Sequence, residues 1–98
     1  MLLIRLIAFR ATILGSYIVS AHEGAEIIGC GADYIDDTRT GYHVYRTLMV
    51  TEPQDTPWVQ RTITIYAVGD YAPPGGIMCP AAKGMPAVYL VDEGEAVP

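Results

Sequence analysis

Two histidines, two cysteines and eleven carboxylates are the groups in this 98-residue chain best suited to chemistry. His22, Glu23 and Glu26 superficially resemble a helical zinc motif, in which two histidines one turn apart bind the metal and a glutamate between them acts as base. Position 26 is a glutamate where the second histidine is needed, and Gly24 favours a turn, so no metal site is expected. His43 lies among strand-forming residues beside Tyr42 and Tyr45. The sequence assigns it no second group as acid, base or orienter, and a packed or surface role is expected.

Cys30 and Cys79 would close a loop of roughly 50 residues if they paired, worth ~4 kcal/mol in the chain-entropy picture. Two cysteines make no disulfide framework, and their spacing matches no metal or redox motif. The expectation is two free thiols in a reducing cytosol. Asp33, Asp36 and Asp37 lack the alternating spacing of a calcium loop and read as a solvated turn. Gly29-Cys30-Gly31 is a lone GxG with no phosphate-loop lysine and no helix after it. There is no GxSxG elbow, and a single lysine leaves few groups for proton transfer. An enzyme is not expected, nor is a cofactor, a metal or a small-molecule substrate.

Recognition is the chemistry left. Seven tyrosines and one tryptophan supply rigid, amphipathic contact area. Tyr42, Tyr45, Trp58, Tyr66 and Tyr71 cluster in the middle of the chain, and Tyr89 follows in the last apolar run. Met78 and Met85 add adaptable apolar contacts within a Pro/Gly-rich stretch. These eight residues are the candidate protein-interaction set.

The elements that must carry them are strands. Apolar residues make up 51% of the chain and charged ones 17%, which excludes intrinsic disorder. The length fits one domain over residues 1–98. Net charge is −5, unevenly placed: residues 1–22 hold Arg5 and Arg10 and no acid, whereas the remainder holds four bases and all eleven acids. No basic footprint for nucleic acid is present.

The segment 1–21 has three readings: a leader ending in Val19-Ser20-Ala21, a membrane anchor, or core-forming strands. Arg10 interrupts its apolar run and opposes a membrane span. The even apolarity of residues 2–9 suits a buried strand better than an amphipathic helix, and the strand reading is preferred. Gly15-Ser16 breaks the chain before a strand at 17–21. His22–Ala25 reads as a turn, residues 26–30 as a short or bulged strand, and residues 32–41 as a polar loop.

Residues 42–52 (YHVYRTLMVTE) and 58–68 (WVQRTITIYAV) are long and rich in β-branched and aromatic residues. With the connection 53–57 they read as a β-hairpin. In its second arm Val59, Arg61, Ile63, Ile65 and Ala67 share one face. Residues 69–86 hold four prolines and four glycines and read as a long functional or mobile loop. Residues 87–91 form a short apolar strand, followed by an acidic tail.

These readings combine into a small all-β sandwich or barrel of six or seven strands around a central hairpin. The function expected is a non-enzymatic structural or assembly subunit, such as a virion or surface-assembly component. It would self-associate through apolar terminal strands, with residues 69–86 as an arm carrying the last strand to a neighbour. The alternative is a small acidic inhibitor of the phage type that binds a basic protein surface.

Overall fold

The computed structural model describes residues 2–10, 14–37, 39 and 41–96, with backbone alone for 34–37 and 41–44. Among these the chain is all-β. Seven strands run in order: β1 (Leu2–Phe9), β2 (Gly15–His22), β3 (Glu26–Asp37), β4 (Gly41–Pro53), β5 (Trp58–Ala67), β6 (Ile77–Cys79) and β7 (Val88–Glu95). They form two antiparallel sheets, β1-β4-β3 and β2-β5-β7-β6, and no barrel closes among the described residues.

One core is shared by both sheets. Leu48 and Val50 reach it from the three-stranded sheet; Val19, Ile63, Ile65, Cys79, Val88 and Leu90 reach it from the four-stranded one. The two-residue alternation expected for the second arm holds, with Ile63 and Ile65 buried on its inner face. Strands form at 2–9 and 17–21 and a turn at 22–25, as expected, but β2 already begins at Gly15 and β1 is not the buried strand expected: as the edge of its sheet it leaves Leu2, Leu3, Ile4 and Leu6 exposed. Gly24 takes φ +88° in that turn, and the Ala25 N–H closes it on the His22 carbonyl at 3.0 Å.

The central hairpin does not form. β4 pairs with β1 and β3, and β5 pairs with β2 and β7, so residues 53–57 carry the chain from one sheet to the other. Prolines at both ends of this connection lack the N–H groups that would close a hairpin's first rungs. The connection is tied instead to the β2–β3 turn: Glu23 N–H donates to the Pro57 carbonyl at 2.8 Å, and Thr56 Oγ1 donates to the Glu23 carbonyl at 2.7 Å.

The actual long hairpin is β3–β4, formed by the stretch expected to be a polar loop. β3 continues to Asp37, which stands opposite Gly41, and it is bulged between Ile27 and Gly29. The acidic triplet therefore rides on a strand, where β4 supplies the ladder that residue propensity alone does not.

The long Pro/Gly segment folds back on its own domain. Its residues 77–79 make β6 against β7, and Ala82 and Met85 form an isolated bridge. Gly76 permits a close approach: a Cβ there would stand 2.5 Å from the Leu90 carbonyl oxygen. Its N–H donates to Tyr89 Oη at 2.7 Å. β7 lies between β5 and β6 and continues through Asp92, Glu93 and Glu95, so the acidic tail is strand. Residues 88–90 of β7 have hydrogen-bonded neighbours on both sides, β5 and β6, so the last apolar strand pairs within its own sheet here, while residues 91–95 are flanked by β5 alone.

The free-thiol expectation is also overturned. Cys30 on β3 and Cys79 on β6 are joined in a disulfide with Cα atoms 5.2 Å apart, bridging the two sheets. Spacing in sequence conceals this because the bulged β3 and the short β6 meet only in the folded chain. Replacing both cysteines by alanine is expected to remove ~4 kcal/mol of stability, the loop-closure value for their 49-residue separation. A urea denaturation series comparing the oxidised protein with the double variant measures the loss.

Candidate interaction surface

The eight candidate residues fall on several surfaces. Register places Tyr66, Tyr89 and Met78 in one row across β5, β7 and β6 on the outer face of the four-stranded sheet. Met78 is exposed, whereas Tyr89 is half-buried and its hydroxyl also donates to the Pro73 carbonyl at 3.1 Å. Tyr66 donates to Glu93 Oε1 at 3.4 Å; desolvation first, then the Glu93 carboxylate, holds its phenol above the ordinary range. Trp58 is exposed at the far end of β5, and Tyr71 is fully exposed in the loop after it. Met85 is half-buried at the Ala82 bridge. Tyr45 is half-buried on β4, opposite Asp33. The Tyr42 side chain, like that of His43, lies outside the described residues. Aromatic clustering in sequence thus becomes dispersal over two sheets, because the connection 53–57 changes layers.

Two features carry no obvious sequence signal. The first is an ionic clamp beside Trp58. Glu52 is completely buried on the inner face of β4, and its carboxylate accepts from both Nε and Nη2 of Arg5 on β1. The same carboxylate accepts the His22 backbone N–H at 2.9 Å, while Arg5 Nη2 donates to the Ser20 carbonyl at 3.1 Å. Ser20 and His22 belong to β2, an edge strand, so this pair occupies backbone groups that a further strand would use. The hydrogen bond from Arg5 holds Glu52 below the ordinary glutamate range despite the opposing effect of burial. His22 stacks on Trp58 with ring centroids 4.1 Å apart, Arg5 lies over the same indole at 5.1 Å, and His22 Nδ1 is 2.6 Å from the Thr56 carbonyl oxygen.

The second feature is the outer face of the three-stranded sheet. β1 turns Arg5, Ile7 and Phe9 inward and leaves Leu2, Ile4, Leu6 and Ala8 outward and exposed. Leu6 stands opposite Met49 on β4, which stands opposite Gly29 on β3, with Ile28 exposed at the bulge. Without side chains, Gly29 and Gly31 floor a groove of about 240 Å³ walled by Leu6, Thr47 and Met49. Such a groove can take an apolar side chain; it holds no group able to transfer a proton.

A larger cleft, about 310 Å³, opens between residues 25–27 and 75–77. Arg61 and Asp92 line it, and they are paired with each other at 2.7 Å. Among the described residues no group of three or more His, Cys, Asp or Glu side chains is arranged to hold a metal. No helix among them is long and apolar enough to cross a membrane. Comparison with known protein families, curated proteins and solved structures finds no match.

The clamp makes an asymmetric pair of variants informative. Arg5→Met strands a fully buried carboxylate and is expected to destabilise by ~3–5 kcal/mol. Glu52→Gln leaves a neutral acceptor for His22 and frees Arg5, a third exposed, to turn to water; ~1–2 kcal/mol is expected. Because the folded-state Glu52 lies below its ordinary value of 4.5, its contribution is present above that pH and is lost as pH falls toward the depressed folded value. Thermal melts from neutral pH down through this range should show an acid-labile component that is missing in Glu52→Gln.

Proposed function

We propose that this protein is a non-enzymatic assembly subunit, a two-sheet sandwich that joins a virion or surface structure by self-association. The observation that carries this reading is the outer face of the three-stranded sheet. Leu2, Ile4, Leu6, Ile28 and Met49 are between 41% and 66% exposed, with Leu6 directly opposite Met49, and Thr51 and the exposed Glu26 continue the row of Ile4. Large apolar side chains gathered on one exposed sheet face are a common mark of an interaction surface.

Two further features support it. The apolar strand and its successor belong to the acid-free segment 1–22, so copies can approach there despite a net charge of −5. The inter-sheet disulfide suits an oxidising setting, as at a particle or cell surface.

Light scattering across the micromolar range, at low and high salt, tests the proposal. Mass should rise with concentration and change little with salt, since apolar and main-chain contacts are hardly screened. A protein that stays monomeric and binds a basic partner with steeply salt-dependent affinity would instead be a charge-mimicking inhibitor.

A further inference from the structure

Each sheet has two edges, and three of the four are interrupted or partly engaged; the stretch of β7 beyond β6, residues 91–95, carries Asp92, Glu93 and Glu95 with Gly94. β6 is three residues long and is followed directly by Pro80. β3 is bulged between Ile27 and Gly29 and carries acids at both ends. β2 has its Ser20 carbonyl and His22 N–H engaged by Arg5 and Glu52. Short length, bulges, charge and engaged main-chain groups are the usual protections of edge strands.

β1 has no such interruption, and the inward-pointing charge that it does carry, Arg5, is neutralised by Glu52. It runs eight residues without proline, glycine or any register shift against β4. All four of its outward residues are apolar.

Resting on the assembly reading above, the geometry points to a second copy of this chain as the occupant of that edge, paired antiparallel, β1 to β1, about a two-fold axis at Leu6. Three constraints choose this arrangement. A two-fold axis makes one patch serve both partners. The inner and outer faces of β1 must stay aligned across the join, which excludes registers shifted by one residue. Of the registers that remain, centring on Arg5 sets two guanidinium-bearing residues opposite each other, which is unfavourable. Centring on Ile4 or on Ile7 pairs only five residues of β1, 2–6 or 5–9. Centring on Leu6 pairs residues 3–9, setting Ile4 against Ala8 and Arg5 against Ile7.

The product is a continuous six-stranded sheet whose outer face joins the two apolar patches. β1 itself carries no acid, and the exposed Glu26, in the row of Ile4 and Thr51, stands two strands from the seam. A paired stretch of seven residues is only ~24 Å long. Its buried area therefore falls at the lower end of specific interfaces, below ~1,200 Å², and the dimer should dissociate on dilution.

The test uses the intact, oxidised chain. Leu6→Cys treated with a short bifunctional thiol reagent should give a covalent dimer in high yield, while Ile18→Cys, equally exposed on β2, should give little. Leu6→Lys sets two ammonium groups face to face and should weaken the dimer at least ~tenfold in sedimentation, with circular dichroism confirming an unchanged fold. If wild type self-associates but Leu6→Cys crosslinks no better than Ile18→Cys and Leu6→Lys associates normally, the β1 seam is overturned and the assembly reading stands. If wild type is monomeric throughout the micromolar range, both fall.

Discussion

The buried carboxylate of Glu52 is the constraint around which one flank of this protein is arranged. An ionised group without access to water is tolerable only when its lone pairs are occupied. Here the occupants reach the β4 carboxylate from two other strands: the guanidinium from β1 and a backbone N–H from β2. The pair therefore fixes which way β1 faces, since Arg5 must point inward. Leu2, Ile4 and Leu6 are turned to solvent as a direct consequence of the two-residue strand period. The apolar outer surface and the ionic clamp are thus two sides of one alternation.

The opposite flank is held by other means. β3 and β6, the remaining edges of the two sheets, are joined covalently through Cys30 and Cys79. Between the flanks lies the apolar core of Leu48, Val50, Ile63, Ile65, Val88 and Leu90. Arg46, also buried on the inner face of β4, reaches the Pro86 carbonyl at 2.8 Å and ties that strand to the entry of β7. Desolvation pulls its guanidinium below the ordinary range. A chain of this size buries a limited fraction of its surface, and one cross-link at each flank compensates for a thin core.

The main apolar strands were legible in the residues; the strand stretches at 32–37, 77–79 and 92–95, and the partnership of all the strands, were not. Alternation placed Ile63 and Ile65 inside, and the even apolarity of residues 2–9 was correctly taken as a strand. The failures share a cause. Residues 42–52 and 58–68 carry every local mark of a hairpin, yet the choice between pairing and crossing sheets depends on what else competes for their edges. β1 and β3 win β4, and β2 and β7 win β5. Asp33, Asp36 and Asp37 have poor strand propensity but lie in a ladder that β4 imposes on them. The same applies to the clamp: Arg5 and Glu52 are 47 positions apart, and only the β1–β4 register brings them together. The thiol expectation failed likewise, because spacing cannot show which strands end up face to face.

The position of β7 sets a clock on how the chain can fold. It is the last strand of the described residues, yet its stretch 88–90 is interior to its sheet and contributes Val88 and Leu90 to the shared core. β1, β2 and β5 likewise find partners far away along the chain; only β3–β4 and β6–β7 join successive strands. During synthesis the four-stranded sheet therefore lacks an inner member, and β5 presents a bare edge, until residues 88–95 have emerged. Until then β6 has no strand to lie against, and Cys79 cannot be held in place by that pairing. Folding must wait for the distal segment and then proceed through long loop closures, the slow regime of β topologies. The β6–β7 pairing places Cys79 where it meets Cys30 across the sheets.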